Sequence, residues 1–166
     1  MVYSRRSTLS LEVTRTGEVV VRAPLGTPER RVRAMVADHR DWLEDKLRRR
    51  RAWLEEHPEP GPEEETRLRE LARRVIPGRV EHFAARMGVR PTGVKITSAK
   101  SRFGSCSGKN SLCFSWRLMA YPPEAVDYVV VHELAHITVK NHSRAFYRLV
   151  EQYLPDWRKR RELLKG

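Results

Sequence analysis

Alternating hydrophobic and polar positions open the chain and predict a β-hairpin. Hydrophobic residues occupy every second position over residues 9–13, a turn follows at residues 15–18, and valines then resume. Thr27 is a good N-cap before Pro28, and hydrophobic residues recur at helical spacing from there to about Glu56. The first third of the chain is therefore predicted to be a hairpin followed by one long helix.

A proline-rich segment at residues 58–62 interrupts the helical pattern and predicts a stiff linker. The sequence shows no internal repeat. We expect a single domain over residues 1–166, in which the hairpin and long helix of residues 1–57 precede a core of residues 63–166.

Beyond the linker, helical and strand patterns alternate. The predicted elements are a helix over residues 63–87 that Pro77 and Gly78 kink or divide, strands over 94–98 and 111–116 with a turn at 107–110, and helices over 123–137, 143–153 and from 155 onwards. This order of elements predicts an α+β fold with a small antiparallel or mixed sheet.

The composition argues against disordered and membrane-spanning proteins. Of the residues, 40% are hydrophobic, yet the longest apolar runs fall far short of the roughly 20 residues that a membrane span needs. The first six residues lack the apolar region of a signal peptide, and two cysteines are too few for a disulfide framework. We expect a cytoplasmic protein without a membrane partner, in which Cys106 and Cys113 are two buried thiols rather than a metal site.

The segment His132-Glu133-Leu134-Ala135-His136 carries the candidate chemistry. On a helix, positions four apart share a face, so both imidazoles can reach one Zn²⁺. Zinc lowers the pKa of a bound water to roughly 7, and Glu133 is placed to take a proton from it. The alternative is a pair of core histidines beside a structural glutamate.

Catalytic zinc needs a third protein ligand, and His142 is the candidate. Metzincins use the same histidine spacing, with a midway glycine where Val139 stands here and a methionine turn after the third histidine. All four methionines of this chain precede His132, so a metzincin is disfavoured. A carboxylate such as Glu151 is the alternative third ligand.

Further motifs surround these residues. They are Arg102–Ser107 (RFGSCS), Trp116–Leu118, Pro123, Asp127–His136, Asn141–Ser143, Phe146 and Pro155–Asp156. Together they resemble the YgjP-like metallopeptidases, a bacterial family of predicted zinc-dependent hydrolases related to the SprT-like and WLM zincins. Two positions depart from the family pattern, because Phe103 stands where Trp is usual and Ser115 where Asn is common.

The resemblance implies a minimal zincin fold, in which a small sheet and an active-site helix precede a helix carrying the third ligand. It places the ligands of one Zn²⁺ at His132, His136 and His142 and the general base at Glu133. The implied reaction is hydrolysis of a peptide bond, in which Glu133 accepts a proton from water and delivers it to the leaving amine.

The residues that contact substrate are less defined. Arg117, Tyr128 and Tyr147 are candidates to stabilise the oxyanion or to touch substrate, although Tyr128 serves equally well as helix packing. An extended peptide can pair with an edge strand, and segments 103–107 and 111–116 are the candidates unless both are internal.

Charge suggests partners as well. Lys and Arg number 33 against 21 Asp and Glu, and residues 82–123 contain seven of these cations and no carboxylate. A basic rim near the zinc favours an acidic peptide, or a protein held on nucleic acid, over neutral substrates. The alternative is a solvated basic face without a partner.

Three functions follow from these observations. The first is a zinc endopeptidase that acts on peptide or protein substrates. The second is a zinc hydrolase of a non-peptide amide or other small substrate. The third is a protein associated weakly with nucleic acid or another polyanion, with a mainly structural zinc site, and Glu133 argues against it because a structural site needs no base.

Overall fold

The computed structural model describes residues 1–14, 16–56 and 58–164, and these divide into two compact units within residues 1–59 and 60–165. Arg15 of the predicted turn, His57 before the proline-rich segment, and the last two residues of the predicted core lie outside the described residues. Among the described residues, no helix combines the length and hydrophobicity that a membrane span requires.

The N-terminal unit contains the predicted hairpin, formed by antiparallel β2 (Ser10–Val13) and β3 (Val19–Pro24). A strand that the pattern did not predict, β1 (Val2–Ser4), pairs in parallel with the other edge of β3. The small core of this unit lies around Val21, Ala23 and Val32.

The long helix expected after the hairpin is two helices, α1 (Glu29–Asp38) and α2 (Arg40–Glu56). The helical backbone is interrupted at His39, whose Nδ1 donates a hydrogen bond to the Met35 carbonyl at 2.8 Å. The predicted N-cap is also wrong by one residue. Thr27 donates its hydroxyl to the Pro24 carbonyl at 2.8 Å instead of capping α1.

The C-terminal unit begins with α3 (Pro62–Met87), which is one continuous helix. The expected division at Pro77 and Gly78 is absent. Pro77 is exposed, and so is Arg73, whose carbonyl loses its N–H partner, so solvent can satisfy that carbonyl.

A three-stranded mixed sheet follows α3. It comprises β4 (Gly93–Thr97), β5 (Gly104–Cys106) and β6 (Ser111–Ser115), with β6 in the centre, parallel to β4 and antiparallel to β5. Of the two segments that sequence offered as edge strands, β5 is therefore an edge and β6 is internal. The tight turn between them places Asn110 at a φ of 61°, a conformation that asparagine tolerates.

A short 3₁₀ helix (Trp116–Ala120) leads from the sheet into three further helices: α4 (Pro123–Thr138), α5 (Arg144–Tyr153) and α6 (Trp157–Glu162). Helix α4 is the most buried of them, because hydrophobic residues cover most of its circumference. It packs against α3, β5, α5 and α6 within one hydrophobic core. The α+β class and the small mixed sheet predicted from the sequence are confirmed.

Candidate metal centre

Two histidines project from the same face of α4, as their spacing predicted. Val129, Val130 and Val131 hold the helix in the core, and His132 and His136 follow with their rings 5.0 Å apart between centroids. The third histidine comes from the segment between α4 and α5. His142 lies two residues before α5 begins, so it precedes this helix rather than lying on it.

The three imidazoles converge on one point. Nε2 of His142 lies 3.0 Å from Nε2 of His132 and 3.1 Å from Nε2 of His136. Two nitrogens bound to the same tetrahedral Zn²⁺ at about 2.0–2.1 Å are about 3.3 Å apart, so these separations fit a shared zinc ion after a small expansion. Among the residues that the structure describes, these three histidines are the group able to hold a metal ion.

The chain positions these rings through their second nitrogen. Nδ1 of His136 lies 3.0 Å from the Val139 carbonyl, to which it donates, so Nε2 keeps its lone pair for a metal. Nδ1 of His132 lies 3.4 Å from the hydroxyl of Tyr128, one turn earlier on α4. Burial, reinforced by the neighbouring histidines, lowers the pKa of His132 to about 3, which keeps the ring neutral, as a ligand must be.

A buried phenylalanine underlies all three histidines. The Phe146 ring on α5 is fully buried, and its centroid lies 4.8 Å from that of His132, 4.5 Å from that of His136 and 4.9 Å from that of His142. Phe146 is one of the motif residues that resemble the YgjP-like family, but its role could not be predicted from the sequence. Its contacts restrict the rotamers of the three rings and exclude water from one side of the cluster.

Glu133 lies beneath the edge strand β5. It is only 6% exposed, and burial raises the pKa of its carboxyl group to about 7, while the positive charge of Arg102 opposes that rise. Gly104 of β5 is in direct proximity, since a Cβ placed there would come within 2.6 Å of both Cγ and Oε1 of Glu133. Sequence reasoning gave Gly104 no role, although a glycine inside a strand is a signal of close approach.

The other predicted site residues occupy different positions. The Tyr128 hydroxyl contacts Nδ1 of His132. The Tyr147 ring stacks on that of Trp157, with centroids 4.9 Å apart, and its centroid lies 6.2 Å from that of His142. Arg117 donates a hydrogen bond to the Ser98 carbonyl at 3.0 Å, and its guanidinium stacks over Trp116.

The alternative third ligand and the two cysteines lie apart from the metal centre. Glu151 accepts a hydrogen bond from Arg158 at 2.9 Å and is not part of the histidine cluster. Cys106 and Cys113 are both free and half-buried. In the β5–β6 register Cys106 is opposite Leu112, whereas Cys113 is opposite Ser105, so the two thiols lie on opposite faces of the sheet and share no metal.

The residues where this chain departs from the family pattern are both buried. Phe103 packs edge-on against Tyr121 at 4.8 Å. The Ser115 hydroxyl donates to the Ala99 carbonyl at 2.7 Å. Phe103 therefore packs just before β5, and Ser115 joins the end of β6 to the segment at Ala99.

Comparison with solved structures relates this fold to metallopeptidase zymogens. The crystal structure of the Pyrococcus abyssi abylysin zymogen matches with a TM-score of 0.50 and 23% identity, over 54% of this chain and 91% of that one, which shows a shared fold. The zymogen of Methanocaldococcus jannaschii jannalysin matches with a TM-score of 0.47 and 21% identity, over 54% and 89%.

Comparison with sequences identifies the family. No curated protein matches this sequence significantly. The family model described as YgjP-like, metallopeptidase domain matches residues 7–69 and 63–166, which together span nearly the whole chain. The chain therefore belongs to the YgjP-like metallopeptidase family.

Proposed function

We propose that this protein is a zinc-dependent peptidase whose metal ligands are His132, His136 and His142. The convergence of the three Nε2 atoms, at 3.0 Å and 3.1 Å, is the observation that carries the proposal. Three imidazoles without a fourth protein ligand are typical of catalytic zinc, because one position stays open for water or substrate. When bound, the zinc supplies Lewis acidity toward water and the scissile carbonyl.

Glu133 is the general base of this proposal. Its carboxylate is shielded by β5 and lies one residue from His132 on α4. A pKa of about 7 lets the group accept a proton near neutral pH and return it to the leaving amine. A fixed, buried carboxylate also holds the attacking water in one orientation.

An extended substrate has a strand to pair with at β5. Ser115 donates its N–H to the Phe103 carbonyl, and Ser107 donates its N–H to the Ser111 carbonyl. Hydrogen-bonded and non-hydrogen-bonded residue pairs alternate along two antiparallel strands. Gly104 and Cys106 belong to the non-hydrogen-bonded pairs, so their N–H and C=O groups point away from β6. They are therefore available to a peptide laid along this edge, beside Glu133.

The two tyrosines take different roles. Tyr128 reaches Nδ1 of His132, on the side of the ring away from the metal position, and so orients the ligand. Tyr147 is the better donor to the charge that develops on the carbonyl oxygen, since its half-buried ring lies next to that of His142.

Metal analysis of the purified protein beside two variants tests the proposal. We expect about one zinc per wild-type chain and a large loss of zinc in His142→Ala. Glu133→Gln should keep the zinc but lose about 100-fold or more of the peptide hydrolysis, because a positioned base contributes roughly 10²–10⁴-fold. Full zinc content in His142→Ala would contradict the ligand assignment.

The substrate side is tested separately, with a proteolysis screen run beside a panel of small non-peptide amides. Cleavage of peptides that Glu133→Gln abolishes supports a peptidase. Turnover of small amides alone would favour the second candidate function, and peptide hydrolysis undiminished in Glu133→Gln would contradict the role of the base.

A further inference from the structure

A positive charge stands at the start of the edge strand. Arg102 is exposed and precedes by two residues Gly104, the residue of β5 that lies against Glu133. The pairing of β5 with β6 continues to Phe103, whose carbonyl accepts the N–H of Ser115, so Arg102 lies directly before the paired residues of this edge.

A second positive charge stands beyond the other end of β5. The Lys140 ammonium donates to Oδ1 of Asn110, in the β5–β6 turn, at 2.6 Å. This hydrogen bond holds the ammonium at the turn that follows Cys106, the last residue of β5. Arg102 and Lys140 therefore lie near opposite ends of β5.

Two carboxylates of the helices around the centre are paired with arginines. Asp127 of α4 accepts a bidentate pair of hydrogen bonds from Arg79 at 2.7 and 2.8 Å. Glu151 of α5 pairs with Arg158 at 2.9 Å. Neither of these ion pairs involves Arg102 or Lys140, the cations near the two ends of β5.

From this arrangement we propose that the exposed edge of β5 binds acidic peptides, with Arg102 selecting Asp or Glu on one side of the cleaved bond and Lys140 selecting them on the other. The inference rests on the proposed peptidase function. The cations lie on both sides of Gly104, so the preference holds for either direction of the substrate chain. An acidic peptide fits better than a nucleic acid, because β5 offers main-chain hydrogen bonds along a strand.

The test uses one peptide that the wild-type protein cleaves, with the cleaved bond located by mass spectrometry. Glu, Gln and Lys are placed in turn at the second residue on each side of that bond. We expect kcat/KM for Glu to exceed that for Gln by about 1.4- to fivefold per position, since exposed ion pairs contribute about 0.2–1 kcal/mol each. High salt should reduce the preference.

Arg102→Gln should lose the Glu-over-Gln preference on one side of the cleaved bond, and Lys140→Gln should lose it on the other. Lys95→Gln is the matched control. It removes the same charge from an exposed residue of β4, at the opposite edge of the sheet, and should keep both preferences. In Arg102→Glu the preference on the affected side should change from Glu to Lys, which a merely destabilised protein would not do.

Binding measured apart from turnover separates this inference from the proposed function. Fluorescence anisotropy measures how tightly the Glu133→Gln protein binds labelled peptides. The Glu peptide should bind more tightly than the Gln peptide, in the same order as their kcat/KM values. Selective binding of the acidic peptide without cleavage by the wild type would support the acidic preference at β5 and contradict the proposed peptidase function. Cleavage with equal kcat/KM for the Glu and Gln peptides would overturn the acidic preference alone. The same conclusion would follow if single-stranded DNA bound more tightly than an acidic peptide of equal charge and this binding depended on Arg102.

Discussion

At Gly104, hydrogen is the largest side chain that fits beside the carboxylate of Glu133. A methyl group would lie 2.6 Å from Cγ and Oε1 and 2.8 Å from Cδ of that side chain. We predict that Gly104→Ala rotates Glu133 out of position and lowers kcat by roughly 100-fold, the loss that a displacement of about 1 Å produces. Zinc content should stay at the wild-type level, because the histidines are untouched. Steady-state kinetics together with metal analysis measure both quantities.

Gly108→Ala is the control for this variant. Gly108 belongs to the same hairpin, but a Cβ there would meet nothing within 4 Å. Its kcat should match that of the wild type. A Gly104→Ala protein with unchanged kcat would show that the carboxylate tolerates displacement.

Two buried groups of the site give the metal-free protein opposite responses to pH. Burial raises the pKa of Glu133 from 4.5 to about 7, so the folded state binds the extra proton and loses stability as pH rises through this range. The pKa of His132 is lowered by burial from 6.5 to about 3, so the unfolded state binds the extra proton and stability falls as pH decreases below 6.5.

We predict that Glu133→Gln becomes progressively more stable than the wild type between pH 4.5 and 7, by up to about 3 kcal/mol at the upper end. Denaturant unfolding of both proteins in the presence of a chelator measures the difference. A constant difference across this range would show that burial does not shift the carboxyl group.

Among the elements, α4 and its histidines could be predicted from sequence, whereas their surroundings could not. The four-residue spacing of His132 and His136 is local, so helical geometry determines their shared face. The approach of Gly104 to Glu133 and the position of Phe146 beneath the rings depend on how β5 and α5 pack on α4, which a local pattern does not encode. The same limit explains the missed β1, whose three residues form a strand only by pairing with β3.

An ion pair joins α3, α4 and α6 behind the site. Asp127 has a side chain only 15% exposed, and it binds Arg79 through two hydrogen bonds and lies 3.6 Å from Arg160. We predict that Asp127→Asn destabilises the protein by about 1–3 kcal/mol, because the charged partner of a partly buried pair is left without its counter-ion. Thermal and denaturant unfolding measure the change.

Asp45→Asn is the matched control for the Asp127 pair. Asp45 also binds two arginines, Arg48 and Arg49, but both lie on its own helix, α2. Its removal should change stability little, because an ion pair within one helix joins no other element. Equal effects of the two substitutions would show that the Asp127 pair is a surface contact without a role in packing.

At the scale of the whole molecule, each compact unit has its own hydrophobic core. The core members of the C-terminal unit lie within residues 68–164 and those of the N-terminal unit within residues 9–36. We predict that a fragment of residues 60–166 unfolds cooperatively and binds about one zinc, because the three histidines and the core beneath them belong to this unit. Calorimetry and metal analysis of the fragment test this, and a fragment that fails to fold would show that the units depend on each other.

The opposite orientation of the two thiols on the β5–β6 hairpin has a consequence for oxidative stress. A disulfide requires facing Cβ atoms about 3.5–4.5 Å apart, a geometry that Cys106 and Cys113 reach only if the hairpin comes apart. Peroxide should therefore produce covalent dimers or singly oxidised chains rather than an internal cross-link. On a non-reducing gel the monomer band should keep its mobility while a band of twice the mass appears.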